Sequence, residues 1–285
     1  MIRDFLVTKY GEFVTSKLLT SKNEVIWDNK NGNGVEEQSQ IKKYLKELKD
    51  SKGEKLVPDE YLNVDWGMDF SSWIGEFDNG KDFIFIGAEP HISNNYQLVY
   101  DFGNRNDKDI NNVALEYADN PDDIWYYIFR IFSNYLSAEG KISFLKRCYI
   151  TDLCHIVPKG CGTVDTIIKR LKITKKDWFK FRSCIAKQLL LKEIETVKPK
   201  IIVLHGASSR HFFNDELNIK LRQSEEIGNW KRFVYKGEFN GVKIIAIPHL
   251  KGQILNELWR SQIHPERPES IKKTIQEFVN GNVRE

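Results

Sequence analysis

The stretch DFIFIGAEPH, residues 82–91, decides the fold class of this chain. Its apolar run predicts a buried strand of a parallel sheet, because strands covered by helices on both faces read as continuous apolar segments. The run ends abruptly in Gly-Ala-Glu-Pro-His, so Glu89 and His91 follow the carboxyl end of the strand. Open α/β sheets bind their ligands at that end. The stretch therefore predicts a functional edge next to Glu89.

A second apolar run, VKIIAIPHLKGQ at residues 242–253, ends in the same way and places His249 after a strand. A carboxylate at one strand end and an imidazole at another form a candidate pair of acid and electrophile. We expect Glu89 and His249 to face each other across a cavity that holds one small planar group.

Two more segments complete the predicted sheet. RCYITDL at residues 147–153 is a buried strand, and KPKIIVLHGASSRHFF at 198–213 is a strand, a tight turn and a helix. FVYKGEFNGVKIIAI at 233–247 predicts a hairpin that turns at Asn240-Gly241. Strands separated by helices imply a mostly parallel sheet of four strands with helices on both faces.

The remaining segments suggest one α/β domain over residues 81–285 with an N-terminal helical extension over residues 1–80 packed on it. The extension contains an amphipathic helix around residues 41–48. Residues 90–120 read as a long irregular region, and a helix is predicted to follow Pro121.

Composition narrows the class of protein. The 285 residues include 43 basic and 40 acidic side chains, so the net charge of +3 neither requires nor excludes nucleic acid as a partner. A basic stretch over residues 169–182 predicts a solvated helix face, with phosphate contact as the second interpretation. No apolar run is long enough to span a membrane, and we expect a cytoplasmic protein.

Cysteine usage argues against a disulfide framework. The four cysteines lie in one quarter of the chain without paired spacing. Cys148, Cys154, His155 and Cys161 could hold a metal, but small apolar side chains beside a buried strand are the simpler interpretation. We therefore expect neither a metal nor a cofactor.

Four ordered segments carry a resemblance to a known family. They are GAEPH after the first strand, YITDLCHIVP at 149–158, PKIIVLHGASS at 199–209 and IPHLKGQ at 247–253. Together they resemble the uracil-DNA glycosylase superfamily over residues 82–280. The resemblance implies a three-layer α/β/α sandwich with a small, mostly parallel four-stranded central sheet and a base pocket at the strand ends.

The resemblance also implies roles for individual residues. Glu89 corresponds to the carboxylate that orients the attacking water, and Gly87 precedes it in the wall of the base pocket. His249 corresponds to the histidine that donates a hydrogen bond to the leaving base. His91 follows the proline of the first segment, where some members carry a tyrosine against C5 of the pyrimidine. Leu250 and Lys251 replace the Pro-Ser of the family's histidine loop.

Asp152 is the largest departure from the family pattern, because members usually carry an Asn that reads the imide edge of uracil. An ionised carboxylate offers only acceptors and is repelled by O4 of uracil. Either Asp152 is protonated in a dry pocket, or the preferred base presents an amino group there. Phe102 is the candidate for stacking on the flipped base, with Tyr100 second.

The resemblance implies a monofunctional DNA glycosylase that hydrolyses the N-glycosidic bond of uracil or another altered base. Its partner would be single- or double-stranded DNA, and it would act as a monomer without a cofactor. We expect backbone contacts from Ser208, Ser209, Lys251 and Gln253. The alternatives are a catalytically weakened relative that binds nucleic acid or a modified base, and an iron–sulfur member, which the cysteine spacing disfavours.

Overall fold

The computed structural model describes residues 24–26, 41–50, 52–68, 72–74, 80–88, 99–101, 103–105, 124–132, 138–223, 234–247, 273 and 276–278. The chain divides into two compact units. The first unit comprises Met1–Ser72, Glu89–Gly103 and Thr151–Thr196, and the second comprises Trp73–Ala88, Asn104–Ile150 and Val197–Glu285.

Twelve strands lie in the described part of the chain. They are β1 (Glu24–Ile26), β2 (Trp66–Met68), β3 (Ser72–Ile74), β4 (Phe83–Gly87), β5 (Val99–Asp101), β6 (Gly103–Arg105), β7 (Cys148–Asp152), β8 (Ile156–Pro158), β9 (Ile201–His205), β10 (Arg222–Gln223), β11 (Tyr235–Phe239) and β12 (Val242–Ile247).

The described helices are α1 (41–47), α2 (Ile124–Phe132), α3 (Ala138–Lys146), α4 (Val164–Leu171), α5 (Lys175–Gln188), α6 (Leu190–Val197) and α7 (Ala207–His211). A 3-10 turn covers Asp59–Asn63, and a π-helical turn, Phe212–Glu216, directly continues α7.

The second unit is built on a mixed sheet with the strand order β10-β11-β12-β9-β4-β7-β3-β6. Its centre is parallel, since β9 pairs in parallel with both β4 and β12. Nearly every residue of these three strands is buried, which explains the continuous apolar runs in the sequence. The last two residues of β7, Thr151 and Asp152, are counted with the first unit.

The α/β class is confirmed, and so are the four predicted strands, which are β4, β7, β9 and β12. The predicted hairpin is confirmed as well, because β11 and β12 pair antiparallel. Asn240 and Gly241 both have positive φ, 51° and 80°, as the primed hairpin turns require.

The prediction of a four-stranded, mostly parallel sheet is wrong, because the sheet has eight strands and is mixed. Besides β11 of the predicted hairpin, the additional strands are β3, β6 and β10, which have two or three residues each. Segments this short show no recognisable period in sequence, and only pairing with distant partners defines them. For the same reason, β5 and β6 occupy a part of residues 90–120 that was predicted to be irregular.

The start of β4 is held by charged contacts and an aromatic cluster. Lys200 Nζ lies 2.8 Å from Asp82 Oδ1, and Arg147 Nε pairs with Asp82 Oδ2. Burial raises the pKa of Asp82, but the hydrogen bonds from Lys200 and Arg147 outweigh it and hold the pKa below its usual range. Phe83 and Phe85 then pack against rings of α2 and α3, with centroid distances of 5.3–6.2 Å. These contacts anchor β4 in the core.

Helices α4–α6 form most of the described first unit, together with the two-stranded pairs β2-β8 and β1-β5. Thr163 and Thr174 cap α4 and α5 in capping boxes, which explains why each helix begins where it does. The described N-terminal residues pack on α5. Tyr44 hydroxyl donates to Gln188 Oε1 at 3.0 Å, and Lys180 Nζ lies 2.9 Å from Asp50 Oδ2.

Trp66 is the apolar anchor of the same packing. It is buried, its ring centroid lies 5.6 Å from that of Phe181, and its indole N–H donates to Tyr61 O at 3.0 Å. Residues 41–68 therefore group with 151–196 in the first unit.

Candidate functional site

The carboxyl ends of three parallel strands meet at one edge of the sheet in the second unit. Ile86 of β4 is level with Leu204 of β9, and Ala246 of β12 is level with the same residue. Gly206 N–H donates to Ile247 O at 2.9 Å, which ties the turn after β9 to the end of β12. The segments that leave β4 and β12 therefore start on either side of β9.

The register gives the spacing of these two starting points. Neighbouring strands lie about 4.8 Å apart, so the ends of β4 and β12 are separated by about 10 Å. Glu89 follows β4 by two residues and His249 follows β12 by two residues. Six predicted site residues lie outside the described residues, namely Glu89, His91, Phe102, His249, Lys251 and Gln253. Their roles stay predictions.

The third strand end at this edge is His205, which is not among the predicted site residues. Its residue is only 6% exposed, and it lies at the carboxyl end of β9, level with Ile247. Gly206 follows with φ of 91°, a conformation that side chains with a Cβ avoid. The sequence contained a signal for His205, because the apolar run IIVLH ends in a histidine, just as the apolar run that starts at Val242 leads to His249.

The two predicted serine contacts differ in their surroundings. Ser209 is buried, and its hydroxyl donates to His205 O at 3.1 Å, with Gly206 O at 3.4 Å as a second acceptor. Ser208 is partly exposed. The Ser209 hydroxyl thus stabilises the turn after β9, and Ser208 is the member of the pair that solvent reaches.

Gly87 and Asp152 are the remaining predicted site residues that the structure describes. Gly87 is the half-buried last residue of β4, and Asp152 is the half-buried last residue of β7. Tyr100, the second choice for the stacking ring, is the middle residue of β5 and pairs with Val25.

A buried polar cluster borders Asp152 in the first unit, and sequence reasoning missed it. Thr151 Oγ1 donates to Glu193 Oε2 at 2.9 Å, and His155 Nε2 lies 3.5 Å from Glu193 Oε1. Thr151 Oγ1 and His155 Nε2 are 3.4 Å apart. The exposed fractions are 5%, 1% and 0% for Thr151, His155 and Glu193, so water does not solvate this carboxylate.

The cluster fixes the ends of the short segment that contains Asp152. The Thr151 hydroxyl donates to Glu193 Oε2, and its oxygen also lies 3.4 Å from His155 Nε2. Thr151 precedes Asp152 and His155 follows it by three residues, and both are held by one carboxylate from α6. The sequence contained a signal for this cluster. Glu193 lies on the same face of α6 as the apolar residues Leu190 and Val197, and a carboxylate on a buried face needs a hydrogen-bonding partner.

Comparison with protein families decides the family of the chain. The family model of the uracil DNA glycosylase superfamily matches residues 74–278, well over half of the sequence. The chain belongs to the uracil-DNA glycosylase superfamily. A search of curated proteins finds no match for it.

The superfamily assignment carries a coarse functional statement. Superfamily members are in general hydrolytic glycosylases that act on DNA. The matched region contains every predicted site residue, and it includes both segments that leave the parallel strand edge. Within the described part of the chain, no helix has the length and apolarity needed to cross a bilayer.

The four residues considered as metal ligands have other surroundings in the structure. All four cysteines are described, and none of them forms a disulfide. Cys148 and Cys154 donate to the carbonyls of Phe144 and Ile156 at 3.1 and 3.2 Å. Over the described ranges, no three His, Cys, Asp or Glu side chains are grouped as metal ligands.

Proposed function

We propose that this protein is a monofunctional DNA glycosylase that hydrolyses the N-glycosidic bond of uracil or another altered base. The observation that carries the proposal is the parallel register of β4, β9 and β12 within the family-matched region. It starts the segments bearing Glu89 and His249 about 10 Å apart at one edge of the sheet, a span suited to one nucleobase.

The chemistry divides between these two residues. Cleavage of the glycosidic bond develops positive charge on the sugar and negative charge on the departing base. Glu89 orients the attacking water and opposes the positive charge, and His249 donates a hydrogen bond to the leaving base. Neither role needs a metal or a cofactor.

Substrate access requires that the nucleotide leaves the base stack. A base inside a duplex is out of reach, so the DNA supplies it flipped or on a single strand. Phe102 stacks on the extruded base, while Gly87 and His91 line the pocket. Ser208, Lys251 and Gln253, with Ser209 in the same turn, contact the backbone. The protein works as a monomer in the cytoplasm.

Asp152 determines which base is preferred. A carboxylate that stays ionised favours a base presenting an amino group, and a protonated one accepts uracil. The Thr151–His155–Glu193 cluster holds both flanks of this segment and so limits the positions that Asp152 adopts.

One assay tests the proposal. Labelled oligonucleotides containing uracil, hypoxanthine, xanthine or a 5-modified pyrimidine are incubated with the protein, and alkali-labile abasic sites are measured. We expect Glu89→Gln and His249→Ala each to lower the rate constant by about 10²–10⁴-fold. Asp152→Asn should move the preference toward uracil. Product formation that survives both catalytic substitutions contradicts the assignment.

A catalytically weakened binding protein is the second candidate, and two sequence observations favour it. Leu250 and Lys251 replace the Pro-Ser of the family's histidine loop, and Asp152 replaces its Asn. The candidate predicts salt-sensitive binding of DNA without any abasic product from any of the bases.

A further inference from the structure

We propose that a basic cleft in the first unit binds the phosphate backbone of DNA, in addition to the base pocket. The cleft is lined by Lys159, Gly160, Cys161, Thr166, Lys169 and Arg170 and has a volume of about 330 Å³. The choice of DNA as the polymer rests on the proposed function, whereas the phosphate chemistry rests on the cleft itself.

Local structure brings the cleft's cations together. β8 ends at Pro158, the Lys159 amide donates to Asp65 O at 2.8 Å, and the chain turns at Gly160 with φ of 76°. On α4, Thr166, Lys169 and Arg170 are spaced three and four residues apart and therefore share one face. The turn and this helix face form the two walls of the cleft.

The side chains that line the cleft carry three positive charges and no carboxylate. Neither Lys169 nor Arg170 forms an ion pair with another described residue, and both are exposed. Burial raises the pKa of the Cys161 thiol, and the opposing effects of Thr166 and Arg170 do not reverse that rise. The thiol is therefore neutral, and the described lining contains no carboxylate beside Lys169 and Arg170.

The segment that contains the cleft carries further basic residues. Residues 159–187 contain nine basic and two acidic side chains, a surplus of seven, although the whole chain has a surplus of only three. Arg182 is buried with its guanidinium 4.4 Å from the centroid of Phe179, and Lys180 pairs with Asp50 at 2.9 Å. The other seven basic residues are at least partly exposed. Charge concentrated on one segment of a nearly neutral protein is the electrostatic pattern of a nucleic-acid contact.

A polymer suits this surface better than a free phosphate ion. The cleft accommodates one phosphate group, but Lys172, Lys175 and Lys176 continue the exposed positive charge from α4 into α5. A single ion cannot neutralise that many separated charges, whereas a nucleic-acid strand presents a phosphate at every nucleotide.

The test measures binding to short undamaged oligonucleotides by fluorescence anisotropy between about 50 and 200 mM sodium chloride. The double variant Lys169→Gln/Arg170→Gln is compared with Lys220→Gln/Arg222→Gln. The control removes the same two charges from exposed positions in the second unit, so both variants have equal net charge.

We expect the cleft variant to lose about tenfold or more in affinity at the low-salt end. Its slope of log affinity against log salt should be less steep by about 1–2, since each lost phosphate contact removes about 0.9 for duplex and 0.7 for single strands. The control should retain the wild-type slope. The charge-reversed Lys169→Glu/Arg170→Glu should bind more weakly still, and circular dichroism checks that each variant is folded.

Three results would overturn the proposal. They are equal slopes for the cleft and control variants, no binding of undamaged DNA at low salt, and thermal stabilisation by inorganic phosphate that depends on Lys169 and Arg170 while the DNA affinity does not. Because undamaged DNA is used, failure of base excision leaves this measurement intact. If the protein excises bases but the cleft variant keeps the wild-type salt slope, the proposed glycosylase function stands and the proposed DNA contact at the cleft is rejected.

Discussion

The buried carboxylate of Glu193 offers the sharpest test of the structure. Glu193→Ala removes a fully buried side chain that accepts from Thr151 at 2.9 Å and lies 3.5 Å from His155. Removing one partner from a buried hydrogen-bonded network that contains a carboxylate costs about 3–5 kcal/mol. At roughly 2–4 °C per kcal/mol for a protein of this size, the melting temperature should fall by roughly 6–20 °C.

Glu195→Ala is the matched control for this experiment. Glu195 lies on the same helix, is exposed, and pairs with Lys192 at 2.8 Å. Exposed ion pairs contribute about 0–1 kcal/mol, so this variant should unfold within a few degrees of the wild type. Thermal unfolding followed by circular dichroism measures both variants.

A double variant separates the lost pairing from the lost volume. His155→Leu/Glu193→Leu replaces the polar pair by apolar side chains, a change that is often neutral or stabilising in buried sites. It should recover most of the stability that Glu193→Ala loses. If Glu193→Ala and Glu195→Ala lose equal stability, the reasoning about the buried cluster is refuted.

Two further predictions concern the residues just before β4. The pKa of Asp82 is lowered in the folded protein, so its stabilisation is present above the ordinary carboxyl value of 3.8 and is lost as pH falls through the lowered pKa. Asp82→Asn should cost about 1.5–3 kcal/mol at neutral pH and almost nothing in strong acid, and urea titrations across pH measure this difference. A pH-independent loss would contradict the pairing with Lys200 and Arg147. Gly80→Ala should cost more than Gly53→Ala in the same urea assay. An alanine at either position would have φ near 75°, which costs about 1–2 kcal/mol of strain. Only at Gly80 would the new Cβ also lie 3.2 Å from a backbone oxygen. Equal losses would show that the close contact costs nothing.

The secondary structure that sequence predicted best is the part governed by local rules. β4, β9 and β12 appear as apolar runs because both of their faces are covered. The hairpin at Asn240 and Gly241 follows from two residues that tolerate positive φ. These features depend on neighbours within a few positions along the chain.

The candidate site was predictable only in part. The strand ends were located from sequence, and the resemblance supplied the roles of Glu89 and His249. The contact between His155 and Glu193 was not predicted, because 38 residues separate them and no local pattern joins them. Their contact appears only once α6 packs against the end of β7 within the first unit.

Sequence by itself determined the class of the protein, the order of its buried strands and the side chains that follow them. These properties depend on hydrophobic period and turn chemistry, which act over short stretches of chain. Tertiary structure alone decided the eight-stranded mixed sheet, the pairing of Glu193 with Thr151 and His155, and the basic cleft. The sheet and the Glu193 contacts join segments that are distant in sequence, and the cleft forms because the turn at Gly160 faces α4.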